Sequence, residues 1–303
     1  MRSDAFAPRP SVHSMQATPV PGEPRTRPAA SSGALRAHLA RHHAGAAPLR
    51  FSYAPGPAGV DSNLLVLLHG LGDTMASFQT LGRSLQNTLP QTAVLSVQAP
   101  LRVPLLEEEA WMWWESFDAL GECTLADLAY GTNAAVNTRP DPRHAIEALS
   151  GLLGYLRAAP EDGGCGWPAQ RIHLFGYAQG GSLVLETLIA LRTAAQPVCG
   201  SAVSVCGPLL SLPTFSPPLD TPVCLVTRFP AAAVQSSTQA RSVLAAVHKA
   251  FKNVTHVNFP PKGPMLSEDM VRGAEWPKVL EFWSRFLKNR SAWELQGDLY
   301  TVT

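Results

Sequence analysis

From residue 64 the chain is apolar for five positions in a row, Leu64-Leu65-Val66-Leu67-Leu68, and the run stops just short of Gly70. A short continuous run of this kind reads as a strand buried on both faces, because a strand with one wet face would alternate. Further strand-like runs occur at Ala93–Val97, Arg171–Phe175, Ser201–Cys206, Val223–Thr227 and Val254–Phe259. Between them the period changes. Ile146, Leu149, Leu152, Leu153 and Leu156 recur at helical spacing and predict an amphipathic helix over 143–158, ended by Ala159-Pro160. Helices are also predicted over 77–86, 182–192, about 236–251 and 276–287. The segment Ala99 to Asp118 reads as a loop carrying Trp111, Trp113 and Trp114, and 121–142 has no clear period and reads as a long irregular connection. Strand and helix alternate without an internal repeat, which predicts an α/β fold with a mostly parallel sheet covered on both faces.

Composition sets the limits of this unit. The first fifty residues hold seven Arg against Asp4 and Glu23, whereas the remaining 253 hold 17 basic and 21 acidic side chains. Pro8, Pro10, Pro19, Pro21, Pro24 and Pro28 punctuate the basic stretch. Residues 1–50 therefore read as a disordered basic tail, 51–290 as one domain and 291–303 as a C-terminal extension. The prolines would break the amphipathic helix of a mitochondrial presequence, so import is not the expected fate. A net charge of +1 gives no electrostatic basis for nucleic acid as the main partner. No apolar stretch suits a signal peptide or a transmembrane segment. Five Cys with no C-x-x-C spacing suggest neither a disulfide framework nor a zinc site, and a reducing, cytoplasmic setting without metal or cofactor is expected.

The densest chemical signal is Gly176-Tyr177-Ala178-Gln179-Gly180, where a predicted strand bends directly into a helix. That is the setting of a nucleophile elbow, with Gly176 and Gly180 supplying the two positions where a Cβ would not fit. The centre is different. Ala178 stands where the attacking Ser belongs, and a methyl group cannot attack a carbonyl. His69-Gly70-Leu71-Gly72-Asp73, directly after the first buried strand, has the order of an oxyanion loop, whose backbone N–H near Leu71 would converge with that of Gln179.

These segments resemble the phospholipase/carboxylesterase family that includes the acyl-protein thioesterases. The resemblance is carried by LLVLLHGLGDT (64–74), QAP (98–100), WMWWESFD (111–118), WPAQRIHLFGYAQGGS (167–182), TPVCLV (221–226) and NVTHVNF (253–259), in the family's order. It implies an α/β-hydrolase fold, a three-layer sandwich with a mostly parallel central sheet, and a Ser–Asp–His triad that hydrolyses acyl esters or thioesters. Carried onto this chain, the three positions fall on Ala178, near Ala231 and near Pro264. No Asp or Glu occurs from Thr221 to Ser267, so a local shift of register does not recover the acid. No His stands near Pro264 either. His256 lies inside a predicted strand and reads as a sheet-face residue.

The resemblance thus implies a non-catalytic hydrolase homologue that keeps a cleft for an acyl chain, a lipid or a protein partner. Two other readings stand beside it: a weak carboxylesterase or thioesterase using a replacement nucleophile, and a scaffolding protein. Ser182, one helical turn after Ala178, and Cys206, at a strand end, are the replacement candidates; both read more simply as packing residues. Trp111, Trp113 and Trp114 could wall an acyl pocket or fill the core. Arg228, Arg241, Lys249, Lys252 and Lys262 read as a solvated basic face.

Overall fold

The computed structural model describes residues 17–19, 24–43, 45–117, 140–212, 216–230, 234, 237–259, 276–296 and 300–302. The irregular connection expected at 121–142 lies largely outside them, as do Ala231, Lys262 and Pro264. The described chain forms two compact units, 26–289 and a smaller one made of 1–25 with 290–303. In the smaller unit β1 (Ala17–Pro19) pairs antiparallel with β11 (Tyr300–Val302), Arg290 Nη1 donates to the Pro24 carbonyl at 3.2 Å, and α7 spans Ala292–Gln296. The C-terminal extension is therefore partly strand.

In the larger unit the order is α1 (Ser32–His42), β2 (Arg50–Ala54), β3 (Asn63–Leu68), α2 (Met75–Thr88), β4 (Thr92–Gln98), β5 (Leu101–Arg102), β6 (Trp111–Met112), α3 (Arg143–Arg157), β7 (Ile172–Tyr177), α4 (Gln179–Thr193), β8 (Ser201–Val205), β9 (Val223–Thr227), α5 (Thr238–Ala250), β10 (Val254–Asn258) and α6 (Trp276–Ser284). Among the described residues one seven-stranded sheet runs β10-β9-β8-β7-β3-β4-β2. All its pairings are parallel except β2 with β4. β3 and β4 are buried at every position and β10, at an edge, is only partly covered. That contrast is why the central strands read as unbroken apolar runs.

Two apolar layers enclose the sheet. On one face Leu64, Val66, Leu68, Leu174 and Ala202 pack with α3, α4 and α5; on the other Leu65, Leu67, Phe175, Val203 and Val226 pack with Phe78 of α2 and with Trp276, Phe282 and Trp283 of α6. The covered, mostly parallel sheet is what the alternation predicts, and its three layers are those the family resemblance implies.

The tail differs from the expectation. Residues 32–42 are helical, capped by the Ser31 hydroxyl accepting the Ala34 N–H at 3.2 Å, and Leu35, His38 and Leu39 are buried. Prolines and arginines dominate the composition of 1–50, yet the run 32–42 contains no proline and places three inward positions at i, i+3 and i+4. That stripe is enough to dock a helix that propensity alone would leave marginal. The basic face was misread at Arg228, which is 4 % exposed; Lys252 is exposed as expected and pairs with Asp220 at 3.3 Å.

Candidate active site

The C-terminal ends of β3, β7 and β9 point the same way, because these strands are parallel, and the loops that leave them gather at one sheet edge. β7 ends at Tyr177, and Ala178 takes φ 48° and ψ −113° before α4 begins. A non-glycine residue in that region carries strain of about 1–3 kcal/mol and persists only where its surroundings over-determine it. Here they do. A Cβ on Gly176 would collide with the Gly180 carbonyl, and one on Gly180 would sit 2.5 Å from the Leu68 carbonyl oxygen and 2.6 Å from that of His69. A Cβ on Gly207 would lie 2.6 Å from the Ala178 carbonyl oxygen. The Ala178 N–H donates to Val205 O at 2.8 Å, and its carbonyl accepts the Ser182 N–H at 3.0 Å. The elbow is thus locked by backbone packing that does not depend on the side chain at its apex.

The loop after β3 is bolted in the same manner. His69 is fully buried; Nδ1–H donates to Gly70 O at 2.7 Å, while Nε2 accepts from Ala99 N–H and Gln98 Nε2, each at 3.0 Å. Both ring nitrogens are spent, and burial holds the imidazole below its usual range despite the Gly70 carbonyl and Asp73 pulling it upward. His69 is a neutral strut with no lone pair left for proton abstraction. Its carbonyl accepts the Trp113 indole N–H at 2.8 Å. Beyond it, Gly72 N–H donates to Trp111 O at 2.9 Å and Trp111 N–H to Asp73 O at 3.2 Å, so β6 splints the loop. Among the described residues the N–H groups of Leu71 and Gln179 have no hydrogen-bond acceptor.

The Gln179 side chain was not singled out in the sequence, yet it ties the two halves of this edge together. Its Oε1 accepts the Trp113 N–H at 2.9 Å, and its Nε2 donates to Ser116 Oγ at 2.6 Å, which in turn donates to Trp114 O at 3.1 Å. The side chain is 5 % exposed. Its signal in the sequence was only its place beside Ala178.

The other candidates separate. Trp113 and Trp114 are core residues, buried in the layer of α3 and α4. Trp111 is half-buried, with the Arg50 guanidinium 4.6 Å from its ring centre. Of the two roles weighed for the tryptophans, core packing holds for Trp113 and Trp114. Ser182 Oγ donates to Pro208 O at 2.6 Å and is 3 % exposed. Cys206 has φ 56°, is half-buried, and donates its N–H to Val226 O at 2.8 Å.

Two imidazole–hydroxyl hydrogen bonds occur among the described residues, and neither serves the elbow. His173 Nδ1 meets Ser201 Oγ at 2.8 Å near the opposite ends of β7 and β8, where burial pushes its pKa down to about 3. His256 Nε2 meets Thr227 Oγ1 at 2.8 Å; the hydroxyl donates onward to Asn258 Oδ1, so the imidazole is the donor. Asn258 also accepts the Phe229 N–H at 3.0 Å and donates to the Phe229 carbonyl at 2.9 Å, which fixes the start of the loop after β9. A small apolar cavity of about 10 Å³ lies between Phe175, Val205, Val226, Arg228, Phe259 and Trp276, roughly the room of one water molecule.

Comparison with known proteins agrees with this fold. Residues 56–274 match the model of the family described as Phospholipase/Carboxylesterase. An uncharacterized hydrolase of Mycosarcoma maydis is 39% identical over 257 residues, covering 83% of this chain and 87% of that protein. An uncharacterized hydrolase of Schizosaccharomyces pombe is 30% identical over 167 residues, 54% of this chain and 61% of its own. Among solved structures, Zea mays acyl-protein thioesterase 2 aligns at a TM-score of 0.54 and 20% identity, covering 79% of this chain and 99% of the other. The Bacillus cereus carboxylesterase aligns at 0.51 and 16% identity, over 84% and 99%. At such identities these two structures speak for the fold alone. Among the described residues no helix is long and apolar enough to cross a membrane.

Proposed function

Since the chain belongs to the phospholipase/carboxylesterase family of α/β-hydrolases, we propose that it is a non-catalytic member, an esterase- and thioesterase-type scaffold that binds at the elbow without turning substrate over. One observation carries this reading: a strained elbow at φ 48° and ψ −113° is held by Gly176, Gly180 and Gly207 around a methyl group. Loss of a triad nucleophile or base costs on the order of a million-fold, roughly 8 kcal/mol. An oxyanion hole by itself supplies about 10³–10⁴ over water. The hole proposed here uses the Leu71 and Gln179 N–H groups, and Ala231 and Pro264 take the places of acid and base in the proposal.

The replacement nucleophiles gain no support. Ser182 spends its hydroxyl proton on Pro208, and deprotonation would abandon that bond inside a buried site. With Trp113 and Trp114 in the core, any acyl-facing role falls to the half-buried Trp111 and to the oxyanion loop. A carboxylate or acyl carbonyl presented to the two N–H groups is the ligand chemistry that fits.

Purified protein incubated with p-nitrophenyl butyrate and with a fluorophosphonate probe tests the proposal. The expected results are hydrolysis at the level of buffer and no covalent adduct. Ala178→Ser is expected to stay within tenfold of the starting protein, because among the described residues no imidazole is on hand to take the proton. Turnover that is lost in Ser182→Ala or Cys206→Ala, or a thousand-fold gain in Ala178→Ser, refutes the proposal.

A further inference from the structure

The first helix brings three imidazoles together against α3. From Ser32 to His43 the chain has Arg36 and Arg41 but no acidic residue. The His38 ring centre lies 4.7 Å from that of His42 and 5.9 Å from that of His43, and the Tyr155 ring of α3 is also 5.9 Å away. His38 is 5 % exposed, and neither of its ring nitrogens has a hydrogen-bond partner among the described residues. A buried polar group left without partners is costly, and a buried charge without partners is more costly still.

The seat on α3 is shaped for this approach. A Cβ on Gly151 would meet Leu39 Cδ2 at 2.6 Å, and one on Gly154 would meet His43 Nε2 at 3.1 Å and His38 Nε2 at 3.5 Å. Glycine is unfavourable inside a helix, so these two positions give up helix propensity where α1 must come close. The docked helix is closed at its start by Ser31, whose N–H donates to the Tyr155 hydroxyl at 3.0 Å.

We propose that α1 is an acid-released clip, held on α3 while the His38 imidazole is neutral and let go when that ring takes a proton beside His42 and His43. The groups facing His38 are His42, His43 and Arg41 from α1 and Tyr155 from α3. Around His43 an open cleft of about 450 Å³ also presents His144 and Glu147, which pair with each other at 3.7 Å. No carboxylate is paired with His38, His42 or His43 among the described residues. Arg41 is turned to the Asp162 backbone carbonyl at 3.0 Å, not to its carboxylate.

Burial holds the His38 pKa below its ordinary value, and the neighbouring His42, His43 and Arg41 push in the same direction. The docked helix therefore binds fewer protons than the free one. Docking is fully favoured above the free imidazole pKa of about 6.5 and weakens as the pH falls below it. Release bares Leu35, Leu39 and the Gly151–Gly154 face of α3, so the chain presents a different apolar surface in acid.

Hydrogen-exchange mass spectrometry on the full chain at pH 7.5 and 5.5, corrected for intrinsic exchange, tests the clip. One imidazole kept neutral on docking predicts that opening of residues 32–43 rises between those pH values, by at most about tenfold. Protection of α4 should change less than twofold. In His38→Leu the acid response of 32–43 should vanish; should that variant fail to dock at pH 7.5, His38→Phe, which restores a ring, replaces it. Equal protection of 32–43 at both pH values in the wild type overturns the proposal. An undiminished acid response in a docked His38 variant overturns it as well.

Discussion

Gln179→Ala isolates the clamp that joins the elbow to the tryptophan loop. The substitution removes the acceptor of the Trp113 N–H and the donor to Ser116 Oγ, both in a site 5 % exposed. An orphaned buried N–H costs about 1–3 kcal/mol, and the lost bond at Ser116, which keeps its contact to Trp114 O, about 0.5–1.5 kcal/mol. A buried methylene adds about 0.8 kcal/mol. The total is about 4 kcal/mol. For a domain of this size each kcal/mol moves Tm by roughly 2–4 °C, so a fall of about 8–16 °C is expected. Urea unfolding should show a lower midpoint at unchanged slope, since the surface exposed on unfolding is the same. A double-mutant cycle with Ser116→Ala should return a coupling of about 0.5–1.5 kcal/mol, because the two side chains share one hydrogen bond. A Tm fall below 2 °C, or zero coupling, would mean that Gln179 does not hold residues 113–116 and that β6 alone positions them.

Two further substitutions probe the elbow backbone. Gly180→Ala sets a Cβ 2.5 Å and 2.6 Å from two backbone carbonyl oxygens that have no flexible side chain to yield, so soluble yield should collapse or Tm fall by more than about 10 °C; a fall under 3 °C contradicts the close approach of α4 to β3. Ala178→Gly should go the other way. Relief of about 1–2 kcal/mol of strain at φ 48° exceeds the roughly 0.4–1 kcal/mol of extra chain entropy in the unfolded state, for a net gain near 0.5–1 kcal/mol by calorimetry. Destabilisation of 1 kcal/mol or more would show that the methyl group has a packing role.

The sheet, its helices and the bend at Ala178 were legible along the chain because each is encoded locally. β9 spans the expected Val223–Thr227, and α3 the expected helix to within a residue, since burial on both faces forces unbroken apolar runs and burial on one face forces helical spacing. The absence of a nucleophilic hydroxyl at the elbow is likewise a matter of residue identity alone. Antiparallel β2 was not foreseen: Arg50-Phe-Ser-Tyr-Ala54 is partly exposed and takes its conformation from pairing with β4, some forty residues later. Nor were α1, which docks closely on the Gly151–Gly154 seat, or the role of the Gln179 side chain, whose bonds run to backbone and hydroxyl partners 66 and 63 residues away. The sorting of Trp113 into the core and of His69 into a spent strut was also decided in three dimensions. Sequence pattern reports which positions avoid water; which polar atom meets which is settled only when distant segments converge and each buried donor must find an acceptor.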